Sequence, residues 1–420
     1  MGEMKITSMR EMDVKGKTVL LRLDINSPID PVTKKITNRN RLKESLPTLK
    51  FLIENKAKIA IIAHQGDTLD YQNLIPLNEH AAILGELLGK EVKYIDDVCG
   101  PAAQYLVKRL KRGEMALLGN LRYLSEEIST FENAVKLEPS EMLDTFLVRS
   151  LAPLVDIYIN DAFSAAHRNA PSMTAFQEIK PSAAGDLLFR EVEALTKVMK
   201  SPVKPSVFIL GGAKISDAFG MMKQVLANGT ADKILTCGIT GEIFLMAGGR
   251  SIGEKKEKFL KDKSLLEFIE PAKEYLRDYP GRIEMPVDLA FESGGLRKEI
   301  DIKELPADEM FMDIGEKTIS NYSRIIEAAS TLFTNGPAGV YENPLFEKGT
   351  KMILQAIAES KGYSVIGGGD TVAAAEKLID IKKISYVCTA GGAMVRFLTG
   401  KKLPLIKAME KAYNKMHDAK

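Results

Sequence analysis

In the first half of the chain, arginines, histidines, carboxylates and carboxamides lie after short apolar runs or at the start of the first predicted helix. Asp24, Asn26, His64, Asn120, Arg122, Asn160 and Asp161 follow the runs, His167 and Arg168 come close behind, and Arg39 and Arg41 open the helix. If the runs are parallel strands, these side chains meet beyond the carboxyl ends of the strands, where open α/β sheets bind ligands. A guanidinium group matches the oxygens of a phosphate or a carboxylate bidentately. This set therefore predicts a small phosphorylated acid as a ligand.

In the second half, glycine-rich loops take the corresponding places. They read Gly211-Gly212-Ala213-Lys214, Asn335-Gly336-Pro337-Ala338-Gly339, Gly367-Gly368-Gly369-Asp370-Thr371 and Gly391-Gly392-Ala393. Glycine lets the backbone approach a ligand closely, and the N–H groups at a following helix start can hold phosphate. Lys214 adds a cation, and Asp370 adds the hard oxygen ligand that Mg²⁺ prefers. These loops predict a nucleotide site.

Each of these residues alone has a simpler explanation. A single histidine is commonly a structural residue, a single arginine commonly lies on a solvated face, and a Gly-Gly pair serves any tight strand-to-helix turn. The shared position after successive strands favours the functional interpretation.

The elements that position these residues alternate along the whole chain. The first half has predicted strands at 19–25, 59–63, 115–118 and 155–159, and predicted helices at 41–56, 79–88 and 142–151. The second half has predicted strands at 207–210, 234–237, 283–287, 332–334, 364–366 and 385–388, with helices such as 217–226 and 346–358. This alternation predicts parallel sheets covered by helices on both faces.

Proline placement predicts a helix between the two halves. Apolar residues recur at helical spacing within 182–200, and Pro181, Pro202 and Pro205 flank this stretch. We interpret it as a connecting helix between two doubly wound lobes. The tail at 405–420 is predicted to be an amphipathic helix, either solvated or bound to a partner.

Length and composition limit the class of protein. The chain has 420 residues, 58 Lys and Arg against 56 Asp and Glu, and a net charge of +2. This balance argues against a basic nucleic-acid coat and against an acidic disordered protein. Three scattered cysteines do not suggest a disulfide framework, and no apolar run approaches the ~20 residues of a membrane span. The start of the chain shows no signal-peptide pattern, so we expect a cytoplasmic protein.

Two other nucleotide motifs are poorly matched. Gly16-Lys17-Thr18 resembles the end of a P-loop, but position 11 is Glu11 and the segment precedes a strand. No GxGxxG motif follows a strand, which makes a nicotinamide-dependent dehydrogenase an unfavoured alternative.

Apart from Arg39 and Arg41, the candidate site residues named above fall within motifs that resemble the phosphoglycerate kinase family nearly end to end. On the first half these are LRLDINSP at 21–28, AHQG at 63–66, NLRY at 120–123 and INDAFSAAHR at 159–168. On the second half they are LGGAKISD at 210–217, TNGPAGVYE at 334–342, IGGGDT at 366–371 and TAGGAM at 389–394. AHQG and MDIGEKT (312–318) look most like the archaeal branch.

The resemblance implies a two-lobed fold in which each lobe binds a different substrate. It implies an N-terminal lobe at 1–181 that binds 3-phosphoglycerate, a connecting helix or hinge at 182–200, a nucleotide-binding lobe at 201–400, and a C-terminal helix at 401–420 that packs back on the N-terminal lobe. It implies Mg²⁺-dependent phosphoryl transfer between 1,3-bisphosphoglycerate and ADP, giving 3-phosphoglycerate and ATP.

The resemblance also implies site residues. The substrate-binding residues would be Asp24, Asn26, Arg41, His64, Gly66, Asp67, Arg122, His167 and Arg168. The nucleotide-binding residues would be Gly211, Gly212, Lys214, Gly238, Asn335, Pro337, Glu342, Gly367, Gly368, Gly369, Asp370 and Thr371, with Asp370 also on Mg²⁺ directly or through water. The catalytic residues would be Arg41, Lys214, Gly368 and Gly391.

The chain departs from the common family pattern at Asp67. The usual residue there is Arg or Lys, and a carboxylate would repel a substrate phosphate unless it points away. This leaves open a phosphotransferase with an altered carboxylate acceptor. A non-catalytic nucleotide-binding protein is a separate alternative, and the joint presence of Arg41, Lys214 and Asp370 argues against it. We expect in-line transfer that needs no enzyme nucleophile, lobe closure about the hinge, no nucleic-acid or membrane partner, and a monomer or a homodimer.

Overall fold

The structure is a computed structural model that describes residues 5–67 and 74–418. Its contacts divide these residues into two compact units. The N-terminal lobe comprises the residues up to Glu193 together with the segment from Lys402 onward, and the C-terminal lobe comprises Ala194–Lys401. The predicted fold class, two parallel-sheet α/β lobes, is confirmed.

The N-terminal lobe contains a sheet of six parallel strands in the order β3-β4-β2-β1-β5-β6. These strands are β1 (Thr18–Leu23), β2 (Lys58–Ile62), β3 (Lys93–Tyr94), β4 (Met115–Leu117), β5 (Ile157–Asp161) and β6 (Ser182–Ala184). The helices are α1 (Asn40–Glu44), α2 (Leu46–Glu54), α3 (Asn78–Leu88), α4 (Pro101–Lys108), α5 (Ser129–Val135), α6 (Phe146–Leu151) and α7 (Pro171–Thr174). A further helix, α8 (Asp186–Lys200), begins in this lobe and ends in the C-terminal lobe.

Both faces of this sheet are buried. Val19, Leu21 and Leu23 of β1 join one apolar cluster, while Leu20 joins a second cluster together with Tyr158 of β5. Successive side chains of a strand point to opposite faces, so the two clusters lie on either side of the sheet. This double burial explains why apolar residues follow one another at the centre of β1, from Val19 to Leu21.

The C-terminal lobe repeats the architecture with a six-stranded parallel sheet in the order β15-β14-β13-β7-β8-β9. These strands are β7 (Ser206–Leu210), β8 (Lys233–Thr236), β9 (Ile283–Glu284), β13 (Thr331–Asn335), β14 (Tyr363–Gly367) and β15 (Tyr386–Cys388). The helices are α9 (Ile215–Ala227), α10 (Gly238–Ala247), α11 (Glu254–Asp262), α12 (Ile269–Asp278), α13 (Glu316–Glu327), α14 (Lys348–Glu359), α15 (Gly369–Leu378) and α16 (Gly391–Leu398).

A three-stranded antiparallel sheet was not predicted from the sequence. It consists of β10 (Asp288–Ser293), β11 (Leu296–Asp301) and β12 (Asp313–Ile314) in the order β11-β10-β12. The predicted strand at 283–287 is wrong beyond Glu284, because Pro286 has no N–H for the sheet and the chain then turns into β10.

Two helix predictions are corrected. The predicted helix at 41–56 is two helices that meet at Ser45, whose hydroxyl bonds the Leu42 carbonyl at 2.8 Å. Pro47, near the start of α2, cannot donate the N–H that a continuous helix requires. The predicted helix at 142–151 begins instead as a 3-10 turn, Glu141–Asp144, before α6.

The start of the predicted connecting helix is also corrected. Residues 182–184 form β6, which pairs with β5 at the sheet edge, and α8 begins only at Asp186. The apolar spacing that predicted the helix lies within α8, where Leu188, Leu195 and Val198 are fully buried. The hinge role of 182–200 stays a prediction.

The tail forms α17 (Pro404–Asp418), which packs on the N-terminal lobe. The Leu405 N–H bonds the Ala166 carbonyl at 3.2 Å, and Lys411 and Lys415 both pair with Glu178. The expectation that the tail returns to this lobe is confirmed. None of the helices that the structure describes is both long and apolar enough to cross a membrane.

Candidate functional site

On the N-terminal lobe, the polar residues predicted from the sequence converge at one edge of the sheet. Asp24 follows β1, His64 follows β2, and Asp161 ends β5. These three strands are parallel neighbours, so their carboxyl ends point the same way. Asp161 itself is turned into the fold, where it accepts hydrogen bonds from Thr48 and from the Leu188 N–H.

Asp24 is held by an arginine and a serine. One of its carboxylate oxygens, Oδ2, accepts hydrogen bonds from Arg41 and from the Ser164 hydroxyl, and Arg41 also lies 3.2 Å from Ser164 Oγ. The other oxygen, Oδ1, is buried and has no hydrogen-bond partner within the part of the chain that the structure describes. A buried acceptor without a donor is costly, so Oδ1 is suited to receive a hydroxyl or N–H group of a ligand.

His64 is oriented by Arg22, a residue that the sequence reasoning missed. Arg22 Nη2 lies 2.9 Å from His64 Nδ1, and both side chains are buried. Burial and the neighbouring guanidinium groups of Arg22, Arg122, Arg41 and Arg168 lower the pKa of His64 well below its ordinary value. The available signal for Arg22 was a single charge within the otherwise apolar strand β1.

The Arg122 and Arg168 side chains are held in place by contacts with the segment around Glu127. The Glu127 carbonyl accepts a hydrogen bond from Arg122 Nη1 at 2.6 Å and one from Arg168 Nη2 at 3.4 Å. Its buried carboxylate accepts the N–H and hydroxyl of Ser172 at 2.7 and 2.6 Å. Glu132 pairs with Arg168 Nε at 2.5 Å. Glu127 was also missed, since no sequence pattern distinguished it.

The arginine cluster keeps positive charge that can attract an anion. Burial and the like charges of Arg168 and Arg22 lower the pKa of Arg122 to about 10, so it remains charged at neutral pH. Its Nε is buried without a hydrogen-bond partner among residues 5–67 and 74–418. A preorganised group of cations with an unused donor is suited to an anion such as phosphate.

The remaining predicted residues on this lobe form the adjoining loop. Asn26 Oδ1 accepts the Gly66 N–H at 3.0 Å, and Gly66 has a φ of +89°, a conformation that favours glycine. Asp67 is exposed, and its carboxylate favours the charged form of Arg122. His167 Nδ1 lies 3.1 Å from the Ser164 carbonyl. Since the Ser164 hydroxyl bonds Asp24, this contact places His167 beside the residues around Asp24.

On the C-terminal lobe, several loop glycines are required by backbone packing alone. A Cβ on Gly211 would lie 2.4 Å from the Pro337 carbonyl, and a Cβ on Gly336 would lie 2.0 Å from that of Gly211. Gly367 is closed in by Met394, and Gly368 by the side chain of Asn335. The structural explanation therefore suffices for these residues.

Other glycines face open space. A Cβ on Gly369, Gly391 or Gly392 would meet no atom within 4 Å. These residues line a cleft of about 220 Å³ at the starts of α9, α15 and α16. Because helix N-termini present free N–H groups and a positive dipole end, the cleft is suited to phosphates.

Charged side chains complete this cleft. Lys214 Nζ lies 3.5 Å from Asp370 Oδ2, and both side chains are largely exposed. Thr371 Oγ1 accepts the Gly336 N–H at 2.7 Å, which ties the β13 and β14 loops together. No group of three or more acidic, histidine or cysteine side chains suited to a metal is found in the described residues. Mg²⁺ often binds through one carboxylate and the substrate's phosphates, so Asp370 fits that role.

A second cavity of about 410 Å³ adjoins the cleft and shares Gly212, Ala213 and Asp370 with it. The predicted residues Gly238, Pro337 and Glu342 line this cavity. Its apolar lining comes from Ile239, Phe259, Met310, Phe311, Met312 and Val340. Such a surface suits a flat heterocyclic ring.

One ion pair lies in the wall of the second cavity, and the sequence reasoning did not predict it. Glu242 Oε1 and Lys256 Nζ are 2.9 Å apart, with side chains that are 5% and 6% exposed. Burial raises the pKa of the Glu242 carboxyl, while Lys256 opposes that shift. Helical spacing in α10 and α11 predicts which residues pack, but it does not predict an ion pair. Nothing in the sequence therefore indicated the pair between Glu242 and Lys256.

Comparisons with known proteins place these features in context. Residues 9–401 match the model of the phosphoglycerate kinase family. The chain is 43% identical over 408 residues to the phosphoglycerate kinase of Methanothermus fervidus, covering 97% of this chain and 98% of that protein. It is 40% identical over 410 residues to that of Thermococcus kodakarensis, covering 96% and 97% of the two chains.

Solved structures give the same picture. The crystal structure of phosphoglycerate kinase from Pyrococcus horikoshii OT3 is similar with a TM-score of 0.85 and 38% identity, covering 98% of this chain and 100% of that chain. The structure of phosphoglycerate kinase from Coxiella burnetii has a TM-score of 0.82 and 32% identity, covering 97% and 99%.

Proposed function

Because this chain belongs to the phosphoglycerate kinase family and is thus a phosphotransferase with a carboxyl acceptor, we propose the following reaction for it. It transfers a phosphoryl group reversibly between 1,3-bisphosphoglycerate and ADP, with Mg²⁺, and gives 3-phosphoglycerate and ATP. In the cell this would be a step of glycolysis and gluconeogenesis in the cytoplasm. The enzyme would act as a monomer or a homodimer.

The N-terminal lobe would bind 3-phosphoglycerate. The unused Nε of Arg122, with Arg168 beside it, suits the phosphate at the far end of the acid. The unpartnered Oδ1 of Asp24 would accept the acid's hydroxyl group, and Asn26 and His64 would lie along the same ligand. Gly66, Asp67 and His167 would border it.

The C-terminal lobe would bind the nucleotide. The base would occupy the apolar cavity of about 410 Å³, with Glu342 near the ribose. The phosphates would lie in the cleft of about 220 Å³, against Lys214 and the bare backbones of Gly369 and Gly391. Mg²⁺ would supply further positive charge to the phosphate oxygens, and Asp370 would hold it directly or through water.

Phosphoryl transfer between these substrates needs positioning and charge stabilisation rather than an enzyme nucleophile. Arg41 is fixed by Asp24 and Ser164, with its side chain 36% exposed, so the guanidinium is oriented and still available to a ligand. Arg41 would stabilise the transferring group, and Lys214 with the N–H groups of Gly368 and Gly391 would do so from the nucleotide side.

The observation that carries this proposal is the cluster of arginines around Arg122 on one lobe, together with the open glycine cleft on the other lobe. The test is a coupled assay with 3-phosphoglycerate, ATP and Mg²⁺, in which 1,3-bisphosphoglycerate is followed through a dehydrogenase. We expect turnover that requires all three components. ATP binding without turnover would instead favour a non-catalytic nucleotide-binding protein.

Asp67 favours a second candidate function, that of a phosphotransferase with another carboxylate acceptor. Its carboxylate acts electrostatically on Arg122, the residue proposed to bind the substrate phosphate. A panel of phosphorylated and unphosphorylated carboxylic acids in the same assay separates the two functions. Preference for an unphosphorylated acid would support the second.

A further inference from the structure

The ion pair between Glu242 and Lys256 is unexpected in an otherwise apolar cavity. Glu242 belongs to α10 and Lys256 to α11, and both residues line the cavity of about 410 Å³. The other carboxylates that line it, Glu342 and Asp370, belong to exposed residues. Glu242 and Lys256 are therefore the buried charged side chains in the lining of this cavity.

Stability alone does not account for this pair. The desolvation of two buried charges commonly offsets their attraction, and apolar side chains of similar volume are often as stable. Lys256 Nζ is well bonded, to Glu242 Oε1 at 2.9 Å and to the Phe311 carbonyl at 2.6 Å. Glu242 Oε2, however, is buried and has no hydrogen-bond partner in the described ranges of the chain. The pair thus presents one oriented acceptor without a donor.

We propose that Glu242 Oε2 accepts a hydrogen bond from the exocyclic amino group of adenine, and that Glu242 thereby selects adenine nucleotides. This inference rests on the proposed function, in which the cavity holds the nucleotide base. The amino group would supply the donor that the buried oxygen lacks, and Lys256 would keep the carboxylate in place. Glu242 is a specificity residue, and Lys256 is a positioning residue.

The chemistry of the pair favours adenine over other purines. Guanine offers two donors side by side, which match a carboxylate with two free oxygens, but Oε1 of Glu242 is already occupied by Lys256. Guanine and hypoxanthine also carry a carbonyl oxygen where adenine carries its amino group. A carbonyl oxygen facing a carboxylate oxygen would leave both acceptors unpaired, which selects against those bases.

The first test needs no variant. Calorimetric titration of the whole protein uses ADP, IDP and the 5′-diphosphate of unsubstituted purine riboside. Both analogues lack the amino group on C6 of the base, and IDP also carries a proton on N1. We expect ADP to bind about tenfold or more tightly than either analogue, the effect of one hydrogen bond to a charged group. Equal affinities within about threefold would overturn the inference and leave the proposed function intact. If ADP itself does not bind, the proposed function fails and this inference falls with it.

The second test exchanges the acceptor for a donor. In Glu242→Gln, Lys256 retains the amide oxygen, so the amide NH₂ takes the position of Oε2. We expect ADP binding to weaken and IDP binding to strengthen, so that the ADP-to-IDP preference falls about tenfold or more. Glu284→Gln is the matched control, because Glu284 pairs with Lys233 and does not line this cavity. An unchanged preference in a folded Glu242→Gln protein would overturn the inference.

Discussion

Arg22 donates a hydrogen bond to Nδ1 of His64 over 2.9 Å. A guanidinium group has donors and no acceptor, so Nδ1 must carry the lone pair and the proton of the neutral ring lies on Nε2. The contact thus fixes the tautomer, because protonation of Nδ1 would set two donors against each other. His64 enters the proposed 3-phosphoglycerate site as a neutral donor.

We therefore expect His64 not to titrate in the neutral range. The chain has four histidines, so their ring signals can be followed individually by NMR. His64 should keep the signals of the Nε2-protonated tautomer from about pH 8 down to about pH 5.5, because burial and the arginines lower its pKa. Titration of the His64 ring within that range would contradict the assignment.

His80 should contribute to acid sensitivity. It is fully buried, burial lowers its pKa to about 4, and its Nε2 bonds Gln65 Oε1 at 3.0 Å. Because the folded pKa lies below the unfolded one, the unfolded chain binds the extra proton, and stability is lost as pH falls from about 6.5 towards 4. Between about pH 7 and pH 5 this amounts to about 2 kcal/mol for the lobe that contains it.

The variant His80→Gln removes this titration. We expect the fall in urea midpoint between about pH 7 and pH 5 to be smaller than in the parent protein, even if the variant is less stable overall. An equal pH dependence in the His80→Gln and parent proteins would refute the linkage.

Glycines of the C-terminal lobe should separate into two classes. Gly369→Ala places a methyl group where no protein atom lies within 4 Å, so it should leave the melting temperature within a few degrees and weaken ADP binding about tenfold or more. Gly336→Ala should instead destabilise the lobe by more than about 1 kcal/mol, since its φ is +88° and its Cβ would lie 2.0 Å from the Gly211 carbonyl. Calorimetry of both variants checks this. Full ADP affinity in Gly369→Ala would argue against phosphates in the cleft.

Asp67 should weaken substrate binding without preventing it. Its carboxylate favours the charged form of Arg122 and so competes with a substrate phosphate. We expect Asp67→Asn to lower the KM for 3-phosphoglycerate about two- to fivefold at low ionic strength, with a smaller effect at high salt. Asp144→Asn, an exposed carboxylate of the same lobe, is the control and should leave KM unchanged. A raised KM in Asp67→Asn would mean that Asp67 contacts the substrate favourably.

The sequence predicted those features that follow from local pattern. Burial on both faces favours consecutive apolar residues in strands such as β1, so their positions and the residues after them could be identified. The sequence predicts a helix from residue 182, whereas residues 182–184 form a strand, because their pairing with β5 depends on a partner distant in the chain. The antiparallel sheet around β10 was missed for the same reason.

Partners distant in sequence also explain which site residues were missed. Arg22 acts through His64, 42 positions away, and Glu127 acts through Ser172, 45 positions away. The Glu242–Lys256 pair is closer along the chain, but its significance depends on the cavity that both residues line. Conversely, glycines that stood out in the sequence, such as Gly211, are explained by packing against Pro337.

The most direct test of the central claim is the kinetics of Arg41→Ala beside Arg39→Ala in the coupled assay. Arg41 is fixed by Asp24 and Ser164, whereas Arg39 forms an exposed pair with Glu86. We predict that Arg41→Ala lowers kcat by more than about tenfold, or about 1.4 kcal/mol, with ADP binding unchanged, and that Arg39→Ala retains activity. Equal turnover by the two variants would contradict phosphoryl transfer at the Asp24–Arg41 site.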